Sequence, residues 1–120
     1  MPSTTTGTPS VATHFEKSSP SVAATYAALL KASRGLGQVR EEPKKTSIHL
    51  VRKTAFAGVA TRKDSLILTL KADHKIDSPR IMRVEQTSAN RWHLEVRLTS
   101  PADIDAELRL WLSNAYNISS

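Results

Sequence analysis

Two stretches of this sequence alternate between apolar and polar residues, and the alternation limits the folds open to the chain. In SLILTLKA, Leu66, Leu68 and Leu70 fall on one side of an extended strand, opposite Ile67, Thr69 and Lys71. RWHLEVRL repeats the pattern, with Trp92, Leu94, Val96 and Leu98 opposite Arg91, His93, Glu95 and Arg97. Such strands bury one face and leave the other in water, which predicts an antiparallel sheet covered on one side.

An amphipathic helix is predicted on each side of the strands. In SSPSVAATYAALLKASRGLG, Ser18 or Ser19 can cap the start and Pro20 suits the first turn. A second helix is predicted with Ser100 as its cap and Pro101 as its first residue. Its predicted buried face consists of Ile104, Leu108, Trp111, Leu112, Ala115 and Tyr116.

The order helix, strands, helix predicts an α+β fold. We expect an antiparallel meander sheet of about five strands, with the N-terminal and C-terminal helices packed on one face as a two-layer sandwich. QVREEPKK is predicted to be a polar connector, because Pro43 interrupts it. The 120 residues suit one domain, predicted over residues 14–118, after a disordered tail at residues 1–13.

Basic residues outnumber acidic ones by 17 to 11, which gives a net charge of +6. The excess is concentrated between Arg40 and Lys75, and it favours an anionic partner, with nucleic acid as the first hypothesis. The candidate anion-binding residues are Arg52, Lys53, Arg62, Lys63, Lys71, Arg83, Arg91 and Arg97. The alternative is a solvated sheet whose Lys and Arg residues protect it against aggregation.

The polar face also carries residues that could line a cleft beside Gly58, namely His49, His93 and Glu95. The sequence has no Cys, no H-E-x-x-H and no G-x-S-x-G, so we predict no metal site, cofactor or catalytic residue. Glu85 and Glu95 are predicted on one hairpin, where ion pairing with Arg83 and Arg97 is favoured over acid–base chemistry.

No apolar run approaches the ~20 residues of a membrane helix, and the first residues lack the pattern of a secretory signal. The absence of Cys fits a reducing compartment. We therefore expect a cytoplasmic protein that does not enter a membrane.

Three features resemble a bacterial family of uncharacterised domains, domain of unknown function family 5655. The first is TYAALL in the early helix; the second is KTSIHL followed by FAGV and LILTLK; the third is the ending WHLEVRLTSPADIDAEL. The resemblance covers about His14 to Tyr116. It implies a fold and no catalytic residues, and an aromatic residue is more usual where this chain has Ser47.

These observations lead to three hypotheses. The leading one is a non-enzymatic binding module whose basic sheet face engages nucleic acid or another anionic partner. The second is a protein–protein interaction module, such as a homodimer formed through the edge or face of the sheet. The third, ranked last, is a small-ligand-binding protein or enzyme using His49, His93 and Glu95.

Overall fold

The structure, a computed structural model, describes residues 10–119 as two α-helices, six strands and two short 3₁₀ helices. The helices are α1 (Pro20–Arg34) and α2 (Ala106–Asn117), and the 3₁₀ helices are Ala12–Phe15 and Pro101–Asp103. The strands are β1 (Arg40–Pro43), β2 (Ile48–Val51), β3 (Ala55–Thr61), β4 (Leu66–Ala72), β5 (Ile81–Ser88) and β6 (Arg91–Leu98). Most of the predicted tail, residues 1–9, lies outside the described residues, whereas Ala12 and Thr13 belong to the first 3₁₀ helix.

All neighbouring strands are antiparallel, in the order β1-β2-β3-β4-β6-β5. The predicted α+β class with an antiparallel sheet is confirmed. The order departs from chain order once, because β6 lies between β4 and β5. Residues 73–80 therefore lead the chain from β4 to the outermost position of the sheet, and the β5–β6 hairpin brings it back.

Both helices pack against the same sheet face, because their apolar residues share one core with the sheet. Val22, Tyr26 and Leu29 of α1 belong to this core. The six residues predicted for the buried face of the C-terminal helix are all buried, five of them in α2 and Ile104 just before it. The sheet contributes alternating residues, including Ile48, Leu50, Val59, Leu66, Leu68, Leu70, Val96 and Leu98. The opposite sheet face carries no helix among the described elements and remains open.

β1 occupies part of the segment predicted to be a connector. Its residues pair with β2, with Glu41 opposite Leu50 and Pro43 opposite Ile48. Tyr26 of α1 donates a hydrogen bond to the Glu41 carboxylate over 2.6 Å, which fixes this edge strand to the helix layer. Prediction failed here because the strand is held by its partners and its own residues carry no alternating pattern.

α2 begins later than predicted. Pro101–Asp103 forms a separate 3₁₀ turn after Ser100, and α2 starts at Ala106 with Asp105 as its N-cap. Asp105 accepts a hydrogen bond from the Leu108 N–H over 3.0 Å. Two capping residues therefore follow one another along the chain, and the sequence pattern predicted only the first of them, Ser100.

A β-bulge in the β2–β3 pair turns Phe56 into the core. Leu50 pairs with Ala57 and Val51 with Ala55, so Phe56 has no partner in the register. Phe56 and the adjacent Ala57 are both buried, as one extra residue in a strand allows. Gly58, two residues further along β3, pairs regularly with His49 and Thr69.

No helix within residues 10–119 has the length and apolar character needed to cross a membrane.

Candidate anion-binding surface

The open sheet face contains a depression of about 250 Å³ that follows β3. From β3 it is lined by Ala55, Phe56, Ala57, Gly58 and Ala60. Phe56 is buried in the core, so the other β3 residues along the groove are small and the floor is low. Larger polar side chains from neighbouring strands line it: Ser47 and His49 on one side, and Thr69, Lys71 and His93 on the other. We call this depression the β3 groove. Ser47 is the position at which the family resemblance implies an aromatic residue.

The groove brings together two of the three residues predicted to line a cleft beside Gly58. His49 and His93 both line it, although β3 and β4 separate their strands. At a strand spacing of about 4.8 Å, the two backbones lie about 14 Å apart, too far for one metal ion to bind both side chains. Glu95 lies on β6, as His93 does, and faces Thr69 of β4, but Glu95 does not line the groove.

Lys71 is the cation most closely associated with the groove. It is half-buried on β4, opposite His93 of β6, and its Nζ donates a hydrogen bond to Thr54 Oγ1 over 3.2 Å. Burial lowers the pKa of Lys71 below its usual value, and the positive charge of Arg91 lowers it further. The ammonium group is therefore held where its own charge is unfavourable. A bound anion would relieve both effects.

The eight candidate basic residues do not form one patch. Lys53, Lys71 and Arg91 lie toward the end of the sheet where β2 turns into β3. Arg62 and Lys63 form the turn between β3 and β4 at the opposite end, where Arg97 pairs with Ile67. The first group adjoins the β3 groove at Lys71, so this end combines cations with a concave surface.

Arg52 has a packing role, although the sequence suggested it as an anion-binding residue. Its guanidinium lies 4.3 Å above the centre of the Tyr116 ring and donates a hydrogen bond to the Tyr116 carbonyl over 3.1 Å. A cation at the last turn of α2 also complements the negative end of the helix dipole. We therefore exclude Arg52 from the candidate surface.

Arg83 and Glu85 stand on the outermost strand. Arg83 lies opposite Glu95, and Glu85 lies opposite His93, so the two glutamates do not face each other. Arg83 also forms an ion pair of 3.8 Å with Glu85, and both side chains are more than half exposed. The geometry fits cross-strand charge pairing, and it brings no carboxylate pair together for acid–base chemistry.

Two other depressions are lined by cations, and sequence reasoning missed several of these residues. Arg34, Arg40 and Arg52 line a depression of about 540 Å³. There Arg34 lies 3.6 Å from Glu41 and Arg40 lies 3.0 Å from Glu42, so both arginines already have acidic partners. A further depression of about 550 Å³ surrounds the β3–β4 turn and adds Lys17 and Lys45 to Arg62 and Lys63. These residues come together only through the tertiary fold.

Arg80 is a further residue that the sequence did not mark. It donates hydrogen bonds to both Asp105 oxygens over 2.9 and 3.1 Å, and to Glu107 over 3.1 Å. It also reaches the Asp103 carbonyl and lies 5.8 Å from the centre of the Trp111 ring. These contacts attach the segment before β5 to the start of α2, which is a structural role. The only available signal was the acidic run at the helix start.

Within residues 10–119, no group of three or more His, Asp or Glu side chains is arranged to hold a metal ion. The groove thus offers imidazole, ammonium and hydroxyl groups. These groups suit the binding of phosphate or carboxylate oxygens.

The fold and groove define a class of protein: a small α+β domain with helices on one sheet face and a polar, partly cationic groove on the other. The sequence profile of the domain of unknown function DUF5655 matches residues 11–119, and the chain belongs to that family. The family predicted from the sequence is therefore confirmed. No curated protein and no solved structure gives a significant match.

Proposed function

We propose that this protein is a non-enzymatic binding module whose open sheet face engages an anionic partner, with nucleic acid as the first candidate. The observation that carries the proposal is the lining of the β3 groove. It includes Lys71, His49 and His93 but no carboxylate, and Arg91 stands beside it on β6. A polyanion lying along the groove would meet these nitrogen donors with successive phosphate groups.

The electrostatics of Lys71 support the same proposal. Placing an ammonium group in a half-buried position near a guanidinium weakens the protonated state, as its lowered pKa indicates. Such an arrangement contributes nothing evident to the fold, because Thr54 is the only hydrogen-bond partner of Nζ among the described residues. Perturbed titratable groups that line a concave surface are typical of functional sites.

Binding should depend on phosphates and not on base sequence. The described aromatic side chains contribute to the helix-covered core or lie on that side of the sheet, as Tyr26, Phe56, Trp111 and Tyr116 do. Trp92 lies on the same side of β6 as Leu94 and Val96. The open face therefore offers no platform on which bases could stack, and single-strand binders usually need one. Cationic contacts to the backbone remain, and these read no sequence.

The proposal includes a bacterial, cytoplasmic setting. The family resemblance suggests the bacterial origin, and the absence of Cys suits a reducing compartment. Fractionation of the source cells would test the location, and recovery in an extracytoplasmic fraction would contradict it.

The test is fluorescence anisotropy with labelled mixed-sequence DNA and RNA oligonucleotides over a series of salt concentrations. We expect affinity to fall as salt rises, since binding releases counterions from the phosphates. Lys71→Gln and Arg91→Gln should each weaken binding across all sequences and reduce the log–log salt slope by about 1.

The matched control is Lys31→Gln, which removes the same charge from an exposed position of α1 on the other side of the sheet. It should leave the salt slope almost unchanged. Binding that ignores salt would contradict the proposal. So would an equal loss from Lys31→Gln, because overall charge and not the groove would then explain the affinity.

A further inference from the structure

The outer edge of β5 is an unpaired strand edge of unusual exposure. Among the strands of residues 10–119, β5 is the last in the sheet and pairs only with β6. Every residue after Ile81 is exposed, including two large apolar residues, Met82 at 51% and Val84 at 36%. An exposed edge of this kind presents backbone N–H and C=O groups that another strand can pair with.

The opposite edge of the sheet is much less suitable for pairing. β1 has only four residues, and Pro43 at its end has no N–H to donate. The other three residues are Arg40, Glu41 and Glu42, and charges are a common protection of sheet edges. β5 is twice as long, with eight residues. Its pairing with β6 is regular from Arg83 to Gln86, between two irregularities, so this stretch is the part of the edge that can accept a partner.

The charges of β5 are complementary to themselves. In an antiparallel pair, two residues directly opposite each other point to the same side of the sheet. If both copies keep their open faces on one side, an odd-numbered residue of β5 must therefore face an odd-numbered residue of the second copy, and an even-numbered residue an even-numbered one. A two-fold axis at Val84 places Arg83 opposite the second copy's Glu85, and Glu85 opposite its Arg83. Moving the axis to Arg83 opposes two arginines, and moving it to Glu85 opposes two glutamates. The axis at Val84 therefore matches both charges.

We propose that the protein forms a symmetric homodimer through the β5 edges, with Val84 of the two copies at the two-fold axis. The interface is isologous, since the same strand is used by both subunits. Arg83 of each copy faces Glu85 of the other copy, so the interface contains two complementary charge pairs. The ion pair within one copy, at 3.8 Å between exposed side chains, is weak enough to rearrange.

This inference is independent of nucleic-acid binding, but it has a consequence for it. The two sheets would become one continuous sheet with all helices on one side. Both β3 grooves would then open on the other side, facing the same direction. An extended polyanion could contact both grooves at once.

Sedimentation velocity over a wide range of protein concentration, without nucleic acid, tests the dimer. We expect a monomer–dimer equilibrium for the natural sequence. Arg83→Glu and Glu85→Arg should each raise the dimer Kd at least about tenfold, because symmetry turns two attractive pairs into two repulsive ones. Mixing the two variants in equal amounts should restore association. One copy then carries a carboxylate at both positions and the other carries a guanidinium at both, so each opposed pair is attractive again.

The matched control is Arg97→Glu, the same charge reversal on β6, which is not an edge strand. It should leave the Kd within about twofold of the natural value. A protein that stays monomeric at the highest attainable concentration would overturn the inference. A dimer that tolerates both reversals, or a mixture that fails to associate, would overturn it as well. Circular dichroism confirms that each variant is folded.

Discussion

Tyr116 connects three parts of the core through one side chain. Its ring lies beneath the Arg52 guanidinium and meets the Phe56 ring edge-on, with centroids 5.3 Å apart. Its hydroxyl donates a hydrogen bond to the Gln38 carbonyl over 3.0 Å. The burial of Tyr116 could be predicted from helical spacing, but the residues that contact it could not. Arg52 and Gln38 lie 64 and 78 positions away, and only the tertiary fold brings them close.

Gly37 is required where the chain passes Tyr116. Its φ is +152°, and a Cβ at this position would overlap the Tyr116 hydroxyl. We expect Gly37→Ala to lower the free energy of unfolding by about 1–3 kcal/mol, because both the backbone and the packing are disturbed. Urea denaturation followed by circular dichroism measures the change.

Gly58→Ala is the control for that substitution. A Cβ at Gly58 would meet His49 and Thr69 at ordinary distances of 3.9 and 4.0 Å. We expect stability to be unchanged or to rise by up to about 1 kcal/mol, since alanine is favoured over glycine in a strand. Equal destabilisation by both variants would show that the contact of Gly37 with Tyr116 is not decisive.

Asp103 links stability to pH. Its Oδ2 accepts hydrogen bonds from the Thr99 N–H, the Thr99 hydroxyl and the Ser100 N–H, at 2.8, 3.2 and 3.2 Å. The backbone hydrogen bond from Thr99 is the largest of the effects that lower the pKa of Asp103. A lowered folded-state pKa contributes stability that is complete above the unfolded value of about 3.9. That contribution is lost as the pH falls through the lowered folded value.

We therefore expect Asp103→Asn to destabilise the protein by about 1 kcal/mol at neutral pH, allowing for partial exposure to water. The difference from the natural protein should shrink below about pH 4. Thermal unfolding at several pH values measures it, with Asp64→Asn as an exposed control. A difference that stays constant through the acid range would contradict this assignment.

At the scale of elements, a helix or strand could be predicted where its own residues show a clear apolar periodicity. β4, β6 and the buried face of α2 could be predicted because their periodicities of two and 3.6 are nearly unbroken. β1 could not be predicted, because REEP has no apolar alternation and contains a proline. The start of α2 was predicted too early, because a first capping residue, Ser100, precedes the actual N-cap, Asp105, by only a few residues.

β5 should be less protected against hydrogen exchange than the inner strands. It has one neighbouring strand, and seven of its eight residues are exposed. At low protein concentration, we expect its amides to exchange faster than those of β4, whose strand lies between two partners. Exchange measured by mass spectrometry or NMR gives the comparison. Equal protection of β4 and β5 in the monomer would contradict this assignment.

At the scale of the whole molecule, the sequence predicted the two-layer arrangement but not how its polar residues meet. His49, His93 and Gly58 line one depression, and alternation had assigned both histidines to the open face. Glu95 shares β6 with His93 and faces Thr69, yet it does not line the groove as those two residues do. Sequence patterns give the face of a residue, whereas strand order decides its neighbours.

The position of β6 between β4 and β5 has a consequence for synthesis of the chain. A ribosome releases Ile81–Ser88 before Arg91–Leu98, the strand that pairs with it in the described sheet. During that interval, Met82 and Val84 belong to a nascent strand whose partner strand has not yet been synthesised. An unpaired strand with exposed apolar residues favours contact with other incomplete chains. The two-residue connection at Ala89 and Asn90 keeps the interval short, because the missing strand follows almost at once.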